Sequence, residues 1–496
     1  MRSDDHDDIV SITSSMSETP TESSPLLAPG KQREVTASWA KEFRWLLFNS
    51  LPVIGTYLLQ QSLQLASVFT LGHLGPTELA AAALASMFAN VSAWSVAFGT
   101  ATALDTLCSQ AYGGARDKTL VGVYLQRALV MLALMMIPVA IVWWNATQIL
   151  LALDQEPELA FKAGLFLRCL LIGVPAFVAF EAVKKFLQAQ GIMKASTYVL
   201  MIASPINFGL NYMLVHWKPI SIGFIGAPLA TAFSYWLMLA LLIGYIWKFR
   251  GAEAWGGWSM DAFKDWWPFI KLAVPGVLMV CSEWWAFELA ALAASYLGTV
   301  DLAAQSILLT SASATYTIPY GISVAASTRV GNSIGEASAK KAKYASMMAL
   351  VFAVGFGALN SSFFMATRSF FGYSFTSDEE VVTRVAHILP LAALFQIADG
   401  LCGVCGGVIR GLGRQNVAAW INLIAYYVIA LPLGYVLTFK ADGGLTGIWI
   451  SLSVALFVGA LGECGFLFII DWQAEVERTR RRVKTEENHI VHEHEA

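Results

Sequence analysis

Two glutamates and two tryptophans crowd into CSEWWAFELA, Cys281–Ala290, and the text on either side, IKLAVPGVLMV and ALAASYLG, is apolar. A carboxylate inside a membrane-length apolar run costs about 2.5–3.5 kcal/mol on insertion scales. Glu283 and Glu288 therefore call for a compensating role. A third acid, Asp399, sits in LFQIADGLCGVCGGVIRG, another apolar run. None of them has an obvious basic partner within the C-terminal spans. A carboxylate withheld from water and from cations resists ionisation, and so can load and release a proton near neutral pH. The alternative for each acid is a plain hydrogen bond to a neighbouring helix. Three such acids in one half of the chain favour proton handling, with Glu283 facing a cavity more directly than Glu288.

The elements that hold these acids must be membrane helices. The chain of 496 residues is 56% hydrophobic and 14% charged, with mean hydropathy +0.58; soluble domains carry about 25% charged residues. Apolar runs long enough to cross ~30 Å of hydrocarbon recur along it. Twelve spans are expected, at 44–70, 79–105, 120–144, 158–182, 196–216, 222–247, 267–296, 302–328, 344–368, 383–409, 415–438 and 444–470. Of the 32 Lys and Arg, 25 fall in or beside the tails and even-numbered connections and four in or beside the odd-numbered ones. That asymmetry predicts both termini in the cytosol. MRSDDHDDIV is acidic and has no apolar core, so the first span is expected to act as its own insertion signal. Six scattered cysteines argue against a disulfide framework.

The chain repeats itself. Pro52 in LPVIG answers Pro275 in VPGVL, Leu71-Gly72 answers Leu297-Gly298, and Gln190-Gly191 answers Leu412-Gly413. Each repeat holds six spans, so both halves share one orientation and substrate is expected between them near the midplane. The expected organisation is a disordered cytosolic tail 1–41, an N-lobe 42–247, a linker 248–266, a C-lobe 267–470 and a tail 471–496 ending in the solvated, unstructured HIVHEHEA. Glu22-Ser-Ser-Pro-Leu26-Leu27 fits an acidic dileucine sorting signal and suggests a vacuolar or endosomal membrane, with the plasma membrane as the alternative.

The N-lobe offers different chemistry. Gln60 answers Glu283, and no acid occurs in the first span. Asp105 and Glu181 lie toward the cytosolic ends of their spans and are expected to be interfacial or structural. Amides supply the candidate binding groups there: Gln60, Asn90, Asn207 and Asn211. In the C-lobe the candidates are Gln396 and the aromatics Trp284, Tyr316, Tyr320, Tyr426 and Tyr427. Beside carboxylates, such rings bind organic cations, although most aromatics in helical bundles simply pack. Cys402-x-x-Cys405 reads as small-residue helix packing.

These stretches resemble the eukaryotic branch of the multidrug and toxic compound extrusion (MATE) family, over about 42–470. The motifs are LGHLG with LAAAALA, ALDTLCSQAYGG, FLQAQG, CSEWWAFEL, IPYGISVAASTRVGNSIG, GVIRGLGRQ and NLIAYYVIALPLG, in family order. The resemblance implies an all-α polytopic membrane protein of twelve helices in two six-helix lobes around a V-shaped cavity. It also implies exchange of cytosolic organic compounds for protons, with the acids matching Glu283, Glu288 and Asp399 in coupling and binding. The first-helix aspartate of many bacterial relatives is missing. The eighth-helix glutamate of some animal exporters falls near Thr310.

The expectation is a secondary antiporter exporting organic compounds, most simply organic cations, against protons. Its partners are the small organic substrate, protons or sodium, and the lipid bilayer. No cofactor, metal, nucleic acid or enzymatic activity is expected, and the chain is expected to act as a monomer. The alternatives are a sodium-coupled exporter of the same fold and a lipid-linked sugar flippase. The flippase would need a basic cavity, whereas the spans look nearly free of Lys and Arg, with Arg127 and Arg168 as exceptions. An intramembrane enzyme would want a clustered His, Cys or Asp set, and only His387 of seven histidines falls in a span.

Overall fold

The computed structural model describes residues 38–494. Twelve long helical segments follow one another: α1 Trp39–Gly72, α2 Pro76–Gly114, α3 Leu120–Trp144, α4 Pro157–Leu170 with Val174–Ala189, α5 Ala195–His216 and α6 Gly223–Lys248 form the first six. The second six are α7 Trp267–Ser295, α8 Thr299–Gly335, α9 Ala339–Thr367, α10 Glu379–Leu412, α11 Gln415–Lys440 and α12 Gly444–Ile469. A further helix, α13, spans Trp472–His494. Each segment overlaps an expected span, but α2, α4 and α8 run seven to nine residues past their expected ends at 105, 182 and 328. The end of the bundle where α1 starts and α12 finishes is called the base below.

Among the described residues nine helices are long and apolar enough to cross a membrane, and the two pieces of α4, bent by 55°, make a tenth. The bend falls at Gly173-Val174-Pro175, where proline has no N–H for the helical ladder. The remaining two, α1 and α8, are long but more polar. Both have a face at the seam between the lobes: Gly321 of α8 packs on Ile54 of α1.

The seam has a twofold character. A Cβ on Gly99 of α2 would stand 2.5 Å from Val277 Cα of α7, and one on Gly276 would stand 2.6 Å from Gly99 O. Only glycine lets the two backbones approach so closely. The repeat-related crossing is that of α8 on α1, with Gly321 against Ile54.

The lobes also exchange their leading segments. Leu46 of α1 is buried in the core of α8, α9 and α10, and Arg329 clasps Glu42 through two bonds of 2.6 and 2.7 Å. Phe269, Leu272 and Ala273 of α7 are buried in the N-lobe core. Division by sequence at 248–266 is therefore not division by packing.

Three expectations need correction or bounding. The tail from 471 is a helix packed on the base, because Trp472, Val476 and Val483 give it a buried apolar stripe. Residues 1–37, with the dileucine motif and most of the expected disordered tail, lie outside the described residues, and α1 already starts at Trp39. The side chains of His489, His492 and His494 also lie outside them.

Candidate functional site

The C-lobe acids converge. Glu283 of α7 is half-buried, while Asp399 of α10 is 4% exposed. Glu283 lies in the electrostatic field of Asp399, and Tyr316 of α8 and Tyr426 of α11 share that neighbourhood. Tyr316 rests against Gly403 of α10, on the helix that carries Asp399. Among the described residues, no Lys, Arg or His forms an ion pair with Glu283, Glu288 or Asp399.

Glu288, five residues on, faces a different neighbour. It lies in the electrostatic neighbourhood of the Asn90 amide of α2, while Trp285 Nε1 donates to Val91 O at 3.2 Å. Asn90 opens a π-helical turn, Asn90–Trp94, whose extra residue re-aims the side chains around it. Trp284 stacks near Phe98, 5.7 Å between ring centroids, again on α2. Glu288 and the two tryptophans thus join α7 to the N-lobe.

A second π segment, Ile424–Ala430, carries Tyr426 and Tyr427. Both hydroxyls are buried without a hydrogen-bond partner, as is Gln396 Nε2. The Gln396 oxygen accepts from Thr315 at 3.0 Å and from Asn360 at 2.7 Å. The C-lobe interior thus holds several unsatisfied polar atoms, which water or a ligand would have to complete.

Opposite, the N-lobe groups are largely spoken for. Asn207 and Asn211 are 0% exposed and bond each other, Ser234 and Ser67. They tie α1, α5 and α6 together, so they do not face a cavity, contrary to the sequence expectation. Gln60 donates to Glu181 at 2.8 Å and accepts from Lys184 at 3.3 Å. Lys184 pairs with Glu181 at 2.7 Å, and Lys185 with Asp105 at 2.6 Å.

These two lysines are a correction. The sequence reading placed them in a connection after residue 182, but α4 continues to Ala189 and buries them to 1% and 5% exposure. Arg410, likewise assigned to a loop, is buried in α10, 3.5 Å from Asp105 and 2.8 Å from Ser323 Oγ. The spans are therefore less free of cations than they looked. The readable signal was Glu181-x-x-Lys184, opposite charges one helical turn apart.

Between the two sets runs an aromatic row. Tyr316 lies 5.9 Å from Tyr320, Tyr320 lies 4.7 Å from Tyr57, and Lys184 Nζ stands 4.5 Å over the Tyr57 ring. Tyr57 had no place in the sequence reading. Glu463 of α12, buried in the field of Glu283, was missed as well.

Toward the base the lobes are bonded shut. Thr106 Oγ1 donates to Arg410 O, Gln110 Nε2 to Gly411 O at 2.8 Å, and Asn332 Nδ2 to Ala189 O at 3.1 Å.

A family model described as MatE matches the chain twice, over residues 52–213 and 275–436, starting at the two prolines of the internal repeat. The chain is 43% identical to an uncharacterized transporter of Schizosaccharomyces pombe over 90% of this chain and 82% of that one. It is 34% identical to multidrug and toxin extrusion protein 1 of Homo sapiens, over 92% of this chain and 79% of that protein. The crystal structure of the eukaryotic MATE transporter AtDTX14 matches with a TM-score of 0.85 and 31% identity, covering 90% of this chain and 99% of that one.

Proposed function

This chain belongs to the MATE family of transporters, and from that membership we propose that it exports organic compounds, organic cations foremost, in exchange for protons. The observation that carries the proposal is an asymmetry of charge. Asp105 and Glu181 of the N-lobe each hold a lysine, whereas Glu283 and Asp399 of the C-lobe hold none among the described residues. A proton or a cationic substrate can neutralise the C-lobe pair, and one excludes the other. That exclusion is a coupling free energy between two ligands.

In this cycle the basal end faces the cytosol, of a vacuolar, endosomal or plasma membrane. The described conformation, bonded at the base, faces the opposite, acidic side. Uptake of a proton by Glu283 or Asp399 there removes a counter-charge of the substrate, which leaves. The lobes then rock about the α1–α8 and α2–α7 crossings, and the proton departs on the basal side. The buried cations support this reading over a lipid-linked sugar flippase, because Lys184, Lys185 and Arg410 are each engaged by a carboxylate, which leaves them poorly placed to hold a pyrophosphate.

The test is counterflow in proteoliposomes with an imposed pH gradient, using a panel of organic cations and flavonoid-like compounds. Exchange should collapse with the gradient and in both Glu283→Gln and Asp399→Asn. Transport that follows sodium instead, or that survives in both variants, overturns the proposal.

A further inference from the structure

Glu463 of α12 is 0% exposed, and its Oε1 has no hydrogen-bond partner. Its Oε2 meets only the Cys402 thiol, at 4.0 Å. The charged and titratable groups around it are Cys402 and Arg410 on α10, Glu283 on α7, and Cys464 beside it on α12. Arg410 faces Asp105 at 3.5 Å and donates to Ser323 Oγ, while its Nε has no hydrogen-bond partner among the described residues and it makes no ion pair with Glu463. Cys464 lies 3.3 Å from Cys405 Sγ.

A second orphan acceptor lies close by. Asn422 Oδ1 of α11 has no partner either. It and Cys402 Sγ both lie near Gly459, 3.9 and 3.3 Å from where a Cβ would stand. Gly459 precedes Glu463 by about one helical turn. Two buried acceptors without a donor are costly unless something supplies hydrogen. A neutral carboxyl is itself a donor.

Glu463 lies six residues from the basal end of α12, about 9 Å, and Asp399 lies thirteen residues from that of α10, about 20 Å. Glu463 therefore stands between the cavity acids and the base.

We propose that Glu463 is a third proton-carrying carboxylate of the C-lobe, which takes the proton from the Glu283–Asp399 pair and passes it toward the base. This rests on the proton-exchange reading above. The proton leaves the Glu283 carboxyl, crosses by water to the Glu463 carboxylate, and leaves Glu283 charged to receive the next cationic substrate. When the base opens, Glu463 gives the proton to bulk water, and the nearby Arg410 stabilises the carboxylate that remains.

Two assays on the same proteoliposomes separate the possibilities. Substrate–substrate exchange without a pH gradient needs no proton release, whereas proton-driven export does. Glu463→Gln should lower proton-driven export by about tenfold or more and keep substrate–substrate exchange near wild type. Glu463→Asp should restore part of the export with a displaced pH profile. Equal loss in both assays, unrescued by Asp, makes Glu463 a structural residue and overturns the proposal; so does full proton-driven export in Glu463→Gln. The wild-type arm reports separately on proton exchange itself, and its failure removes both readings.

Different contacts carry a second inference. α13 crosses the base from lobe to lobe: Trp472 and Val476 are buried in the C-lobe core, and Val483 in the N-lobe core. Glu475 clasps Arg414 at the α10–α11 turn. Thr479 and Arg482 both donate to Gln110 Oε1 of α2. Glu486 holds the buried Arg127 of α3 at 2.9 Å, and Arg127 also donates to Asp261 O of the linker at 3.1 Å. A base that opens must tear one set of these contacts.

The geometry points to α13 as a latch that must release one lobe before the base opens. In a background without native cysteines, Gln110→Cys with Thr479→Cys should form a disulfide on oxidation. The oxidised double variant should lose transport by about tenfold or more, as for other steps gated by a conformational change, and reduction should restore it. Undiminished transport in the fully oxidised form overturns the latch.

Discussion

Lys185 Nζ lies 2.6 Å from Asp105 Oδ1, and Arg410 faces the other oxygen of the same carboxylate at 3.5 Å. One acid of α2 thereby binds a cation from each lobe. This knot stands beside the basal hydrogen bonds of Thr106 and Gln110, so the charge pairing that neutralises the N-lobe also helps hold the base closed.

Removing one partner of a buried pair leaves the other charge stranded. Glu181→Gln should destabilise the protein by about 3–5 kcal/mol, because Lys184 loses its counter-ion in a buried site. Adding Lys184→Met should recover most of that loss. Thermal unfolding in detergent reads both, and a stable single variant would contradict the pairing.

The C-lobe acids should behave in the opposite way. Glu283→Gln and Asp399→Asn replace buried carboxylates that hold no cation by neutral shapes of the same size. Melting temperatures should therefore hold or rise while proton-driven export is lost. A fall in stability equal to that of Glu181→Gln would mean that the acids are structural.

At the α2–α7 crossing, added side-chain volume has nowhere to go. Gly276→Val should cost about 1–3 kcal/mol through forced backbone shifts, and transport should fall with it. The control is Gly355→Val on α9, where a Cβ meets nothing within 4 Å; there, volume should cost far less. Circular dichroism melts alongside uptake assays compare the two.

Asn211→Leu tests the reassignment of the N-lobe amides. It breaks bonds to Ser67 and Asn207, so stability should drop by about 1–3 kcal/mol. Substrate affinity, measured by equilibrium binding, should stay near wild type. A large loss of affinity at full stability would return Asn211 to the cavity.

The sequence by itself determined much of the architecture. An apolar run long enough for a bilayer has one economical solution, a helix, so all twelve segments were legible, although α2, α4 and α8 continue seven to nine residues past their expected basal ends. The repeat was legible because Pro52 and Pro275 open equivalent helices. Glu283, Glu288 and Asp399 stood out because a charge in an apolar run is costly wherever it falls. Glu463 hid in a span ending GECGF, near enough to a basal terminus to pass for an interfacial residue.

Only the tertiary structure decided which charges are neutralised. Arg410 and Asp105 lie far apart in the chain, and nothing local announces their meeting. Asn207 looked like a cavity amide until helix rotation aimed it at Ser234. The tail from 472 is polar overall and reads as solvated, yet three apolar residues at helical spacing and a partner on each lobe fold it onto the base. The cost of a buried group is written in its own residue and its neighbours along the chain. Its compensation comes from whatever packing brings within about 4 Å, and that is a property of the whole fold.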